Sequence, residues 1–390
     1  MFLGASSFNN AGVGGVGAGI DQWDVSNCTD FTYMFYNAGS FSQYIGSWTF
    51  AAGDTAAGTP TSISTNQLID TSKDFLALGV TTGMSVKNNV TKKQATVTLP
   101  GFQYNGYRNN NPTAFKLIDT ASNVDYISSG ILAGAFVKNM DTGATANVVS
   151  VDSAQQLTLT ADIFPINNQR YYIQAVHYLT LNSDIFQISG ESYSVFKAIQ
   201  APRMFGGIAN FTADLTNWNT ENFTNMNSMF LGTPTSTDFS QWDVSKVLDM
   251  GGMFQGSALN PDVTNWDVSG VTNFSSCFYS AVNLNRDLSG WDTRNVTSVS
   301  SMFRFTPFDY DISSWNIQSL TSASTFLTGS LSTANYDALL IGWSGQAPNI
   351  QSNVTLDIGS TQYTAGGAAE SGRNLLTGTY GWTITDGGPV

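Results

Sequence analysis

The chain has 390 residues, of which 42% are hydrophobic and 13% aromatic, enough apolar material for a core and length for two or three domains. Only 11% are charged, yet the formal net charge is −13, so a nucleic-acid phosphate backbone would be repelled and DNA or RNA is not expected as a partner. No apolar run approaches the roughly 18 residues of a membrane span, so membrane insertion is not expected; Met1-Phe2-Leu3-Gly4-Ala5 lacks the basic start of a secretory signal, so either a signal has been removed or the protein reaches its destination without the ordinary export route.

Residues 1–50 open a repeat, with Trp23, Met34-Phe35 and Trp48 one period apart. The Gly-rich run 11–19 reads as a flexible excursion in the first copy; no Lys-Ser/Thr follows it, so it is not read as a phosphate cradle. After Trp48 the next repeat Phe is due near position 60, but Met204-Phe205 comes about 145 residues late. A domain inserted over 51–200 is therefore expected. Its short alternating runs, such as Ala95-Thr96-Val97-Thr98-Leu99 and Leu157-Thr158-Leu159-Thr160, are strand signals. It is also duplicated: Leu68-Ile69-Asp70-Thr71 returns as Leu117-Ile118-Asp119-Thr120, and Val86-Lys87-Asn88 as Val137-Lys138-Asn139. Two similar β modules are expected, about 60–115 and 116–173, followed by a connector to 200. Between them, Gln103 to Asn111 reads as a loop in which Tyr104, Tyr107 and Arg108 could contact a glycan or a protein.

From 201 to 330 the repeat resumes, with Trp218, Trp242, Trp266, Trp291 and Trp315 in steps of 24 or 25 and a Phe eleven or twelve residues after each. A fixed period of this size means stacked units, each unable to bury its apolar side alone. The apolar residues seven, four and one before each Phe, as in Val247, Met250, Met253 and Phe254, have helical spacing, while Asp287-Leu288-Ser289-Gly290-Trp291 alternates like a strand. The expected fold is thus a repeat solenoid of about 24-residue rungs, each a short strand plus a helical turn, carrying an inserted all-β domain. Because the period resumes in register, Trp48 and Trp218 should lie on adjoining rungs. Residues 331–390 form the C-terminal cap.

Few groups are available for chemistry. His177 is the single histidine, no Gly-x-Ser-x-Gly elbow occurs, and three Glu (191, 221 and 370) stand against 25 Asp in no telling pair. Two scattered thiols and one imidazole make no tetrahedral metal set, and Cys28 and Cys277 read as unbonded apolar residues in repeat slots. The Asp after each Trp (Asp24, Asp243, Asp267 and Asp292, replaced by Asn219 and Asn316) reads as a calcium row or, preferred, as a side chain capping a helical turn or closing an Asx turn. Seven Asn-x-Ser/Thr sequons, at Asn27, Asn89, Asn210, Asn222, Asn273, Asn295 and Asn353, read as turn residues. No catalytic, cofactor-binding or metal residue is assigned, and no cofactor is expected.

The pattern Trp-Asp-(Val/Thr)-Ser-x-Val-x-x-Met-x-x-Met-Phe, with Asn335-Tyr336-Asp337-Ala338-Leu339-Leu340-Ile341-Gly342-Trp343 after it, resembles the BspA-like leucine-rich-repeat surface proteins over residues 1–50 and 201–390. The resemblance implies a leucine-rich-repeat-like solenoid used for adhesion or display on bacterial surfaces and on phage and other virus particles. The large insert departs from that pattern, and phrases such as Leu157-Thr158-Leu159-Thr160-Ala161-Asp162-Ile163-Phe164 are similar to small β domains of phage fibres. The expectation is a non-enzymatic virion fibre, spike or capsid-decoration protein at the virion surface. Its partners would be other virion or surface proteins, a host glycan or receptor, and further copies of itself. Alternatives are a secreted bacterial cell-surface adhesin and, in another class, a polysaccharide-depolymerising fibre.

Overall fold

The computed structural model describes residues 19–39, 41, 43–70, 72–108, 116–119, 125–127, 131, 133, 135–164, 169–188, 190–235 and 237–390, with backbone alone at 64, 99–108 and 174–178. The chain divides into two compact units, residues 1–53 with 198–390 and residues 54–197.

The expected solenoid of short strands and helical turns does not form. Among the described residues regular secondary structure is mostly antiparallel β-sheet, and the two α-helices both lie in the C-terminal segment. The Trp-to-Phe period is met by turns. Around Phe230 every second N–H closes a turn on its own copy and every other crosses to the next: Met229 and Leu231 donate to the carbonyls of Met226 and Ser228, whereas Ser228, Phe230 and Gly232 donate to Gly251, Met253 and Gln255. The same alternation recurs around Phe205, Phe254 and Phe278. A helix cannot run through this segment because residues two before and two after each Phe from Phe35 to Phe303 have positive φ, as in Ser228 (54°) with Gly232 (60°) and Ser276 (57°) with Ser280 (56°). The expected strand before each Trp is a turn as well, with the Trp291 N–H donating to the carbonyl of Leu288.

The periodic side chains build the core of this first unit. Phe35, Phe205, Phe230, Phe254, Phe278 and Phe303 stack with successive ring centroids 5.7 to 6.0 Å apart. Trp48 and Trp218, separated in sequence by the whole insert, stack at 6.3 Å with planes 10° apart. Each indole N–H from Trp48 to Trp315 donates, over 2.7 to 3.1 Å, to a carbonyl in the preceding copy, for example Trp266 to Phe239. This explains why Trp recurs: it fills the layer and satisfies a buried carbonyl. Two short parallel strands, β12 (Ile199–Gln200) and β13 (Phe223–Asn225), start a line of single-residue bridges, Asn225 to Asp249, to Asn273 and to Ser298. The C-terminal segment continues the line through Ala323 and Leu356, then closes it with helices α1 (Thr333–Ser344) and α2 (Ala368–Gly378) and the paired strands β14 (Thr355–Asp357) and β15 (Thr383–Thr385).

The described residues of the second unit form one eleven-stranded antiparallel system of β1 (Ala56–Gly58), β2 (Ser62–Ser64), β3 (Gln67–Ile69), β4 (Ser85–Asn88), β5 (Gln94–Arg108), β6 (Lys116–Ile118), β7 (Phe136–Asn139), β8 (Thr145–Ser153), β9 (Gln156–Leu159), β10 (Gln169–Leu181) and β11 (Tyr193–Phe196). It holds two apolar clusters that correspond side chain by side chain. One contains Leu68, Val86, Val97, Leu179, Ile185, Phe186 and Tyr193, and the other Leu117, Val137, Val148, Leu157, Ile163, Phe164 and Tyr171. The buried polar groups match too. Tyr193 Oη donates to Asp70 and Tyr171 Oη to Asp119, each over 2.7 Å, while the Asn88 and Asn139 amides donate to the carbonyls of Ile185 and Ile163. Residues 174–200, read from sequence as a connector, therefore carry the closing strands of the first module. The second module lies within the first, and the two are joined by the long β5–β10 pairing.

Candidate functional site

The polar residues of the repeat are largely spent on its own backbone. Oδ1 of Asp24, Asn219, Asp243, Asp267, Asp292 and Asn316 accepts the N–H two residues on, over 2.9 to 3.2 Å, so the slot after each Trp closes an Asx turn. Among the described residues no group of three or more His, Cys, Asp or Glu is placed to hold a metal ion. A second polar row went unread in the sequence, although it shares the period: Asn227 and Asn273 both donate to Asp249, and Ser275 and Ser298 share a hydrogen bond of 2.7 Å. Several sequon amides serve the same end, with Asn222 donating to the carbonyls of Ala51 and Gly53 and Asn295 to that of Ser269.

A third row, four residues before each Trp, makes Asx turns at Asp214, Asp238, Asp262, Asp287 and Asp311. Near the C-terminal end of the repeat two of these, Asp287 and Asp311, join Asp309, Tyr310 and Asn335 around an open groove of about 600 Å³. Asp309 lies outside the repeat pattern. Its Oδ1 accepts from the backbone and hydroxyl of Ser332, the N-cap of α1, and from the Asn335 amide. Burial pushes the Asp309 carboxyl up, but those hydrogen bonds outweigh it and hold the group below the usual range. The backbone and side chain of Ser289 hold Asp287 low in the same way. The groove is thus a concave, anionic surface of fixed acceptors, with Tyr310 tied to Asn285 through its hydroxyl.

The candidate recognition residues fall elsewhere. Tyr104, Tyr107 and Arg108 lie in strand β5 instead of a loop, paired with Ile173, Arg170 and Gln169 of β10. The residues beyond, 109–111, are outside those described. His177 lies in β10. Cys28 and Cys277 are free thiols, and burial raises the Cys277 pKa. No helix among the described residues is long and apolar enough to cross a membrane.

A family profile described as Mycoplasma protein of unknown function, DUF285, matches residues 1–66, 171–236 and 233–338, more than half of the chain. No curated protein and no solved structure matches it.

Proposed function

We propose that this chain, which belongs to the family described as Mycoplasma protein of unknown function, DUF285, is a non-enzymatic structural and adhesive surface protein. We place it on a virion as a fibre, spike or capsid-decoration protein that makes assembly contacts or attaches to a host surface. The observation that supports this reading is how the polar groups are used. The Asp and Asn of the repeat slots accept turn-closing N–H groups, while the groove at Asp287, Asp309 and Asp311 offers open acceptors suited to holding a partner. The resemblance of the Trp-Asp to Met-Phe pattern to BspA-like surface proteins points the same way. A bacterial cell-surface adhesin is the second reading, favoured by the Mycoplasma of the family description.

Purified protein should bind a host cell surface or co-sediment with capsid protein and leave either chemically unchanged. Release of reducing sugar ends from host polysaccharide, abolished by a single Asp→Asn change, would replace this reading with that of a depolymerase.

A further inference from the structure

Among the described residues three arginines of the first unit rest on rings, Arg373 on Tyr363 at 5.3 Å and the other two on a pair of rings each. The Arg203 guanidinium lies 5.6 and 5.8 Å from the ring centroids of Tyr33 and Tyr36, and that of Arg304 lies 5.9 and 4.7 Å from those of Tyr279 and Phe305. Lys246, Arg286, Arg294 and Arg373 in the same unit each face a carboxylate within 4.0 Å. In a unit whose other four cations are paired in this way, a cation with no carboxylate partner among the described residues stands out. Of Arg203 and Arg304, Arg304 departs further, since its buried Nε, like that of the carboxylate-paired Arg286, has no hydrogen-bond partner among the described residues. Beside it Phe305 is 48% exposed and holds φ 62°, in the slot taken elsewhere by Asn37, Gly207, Gly232, Gly256 or Ser280. A bulky ring in a left-handed slot is strained, and leaving it in water recovers nothing. An exposed aromatic side chain beside an arginine is the composition of an interface centre.

The groove supplies the opposite chemistry. Asp287, Asp309 and Asp311 each use Oδ1 to accept from the chain, and Oδ2 of each accepts no hydrogen bond among the described residues. A guanidinium presents several donors in a fixed fork that fits paired carboxylate oxygens. We propose that two copies of this chain associate through these surfaces, Arg304 and Phe305 of one copy seating in the Asp287–Asp309–Asp311 groove of the other. At physiological salt, charge repulsion is screened over about 8 Å, so the overall negative charge leaves this local contact to decide. The contact names a partner for the groove and rests on the assembly reading above for its biological use.

Analytical ultracentrifugation of the full chain, over a concentration series at physiological salt, tests it. The chain should associate. Arg304→Asp should weaken association at least tenfold with an unchanged melting temperature, and Arg304→Gln should follow if the first variant folds poorly; Asp311→Arg should weaken it as much, whereas Asp238→Arg, which breaks the same kind of Asx turn outside the groove, should lower the melting temperature equally and leave association intact. An equimolar mixture of Arg304→Asp and Asp311→Arg should associate again, because one brings an intact groove and the other an intact arginine. Phe305→Gly should weaken association without lowering the melting temperature. A monomer at all concentrations, association untouched by the Arg304 and Asp311 variants, or a mixture that stays monomeric overturns the proposal. A chain that associates yet binds neither cells nor capsid keeps this contact and removes the attachment reading; a monomer that binds them does the reverse.

Discussion

In the first unit the side-chain bonds span about one period, as in Trp266 to Phe239 across 27 residues and Asn273 to Asp249 across 24. In the second, Tyr193 reaches Asp70 across 123 residues and Tyr171 reaches Asp119 across 52. A layer of the first unit answers only to its neighbours, so damage there should be graded by how many neighbours it has. A module of the second closes only when distant segments meet, so damage there should be felt by the whole module. Nearness in sequence, more than the amount of apolar surface, separates the two.

The sharpest test of the graded side is Trp266→Ala. Its indole is 6% exposed and packs against Phe239 and Phe254, so the change should cost about 3–5 kcal/mol in denaturant titration. Trp382→Ala, near the C-terminal end, should cost less, and equal or reversed costs would mean that the layers do not answer to their neighbours. The distant side is probed by Tyr171→Phe, which removes the hydrogen bond that the Tyr171 hydroxyl donates to the fully buried Asp119. A loss of about 1–3 kcal/mol is expected, with hydrogen-exchange protection falling across residues 116–173 together; loss confined to β10 would break the comparison.

A smaller effect tests the place where the repeat gives way to the insert. The Asn222 amide donates to Ala51 and Gly53 and its oxygen accepts from Lys246 Nζ over 2.9 Å. Asn222→Ala should cost about 1–2 kcal/mol and raise exchange at residues 50–53 before it touches the layer of Phe278; equal exposure of both would show that the layers are not independent. The smallest effect is on acid stability. Burial pushes the Asp152 carboxyl up, but hydrogen bonds from Lys116, Ser150, Gln156 and Thr158 overcome this and hold it well below the usual range. A carboxyl depressed in the folded state contributes stability above its ordinary pKa, about 3.9, and that contribution is lost as pH falls. Asp152→Asn should therefore lower the stability of the second module modestly near neutrality and flatten its profile below about pH 4, the difference from the parent closing in acid; an unaltered acid limb would remove Asp152 from that account.

What could be read in the sequence was whatever depends on residue type at a fixed slot. The Trp and Phe rows, the Asx turns and the doubled Leu-Ile-Asp and Val-Lys-Asn phrases all belong here. The helical turn was misread because a chain of turns also repeats every three or four residues. The left-handed slots that forbid a helix are glycines at 232, 252 and 256, but serines at 228, 276 and 301 carry no such sign. The nesting of the modules was hidden because Leu179-Thr180-Leu181-Asn182-Ser183-Asp184-Ile185-Phe186 repeats Leu157 to Phe164 just after it, yet completes the module begun at Ala56. Tyr104, Tyr107 and Arg108 have a loop-like composition, and the partner that makes them a strand is more than sixty residues away. The groove was missed because Asp309 and Asn335 fall outside the period.

The tie at Asn222 bears on more than stability. The outgoing backbone is clamped at Ala51 and Gly53, and the returning chain is registered at once by β12 against β13 and Asp30. Entry and exit are thus fixed by residues of the host layers, and none of those bonds depends on what the intervening segment contains. The junction behaves as a cloning site in protein form: payloads of very different size could be exchanged there over generations, or in the laboratory, while the carrier keeps its own register.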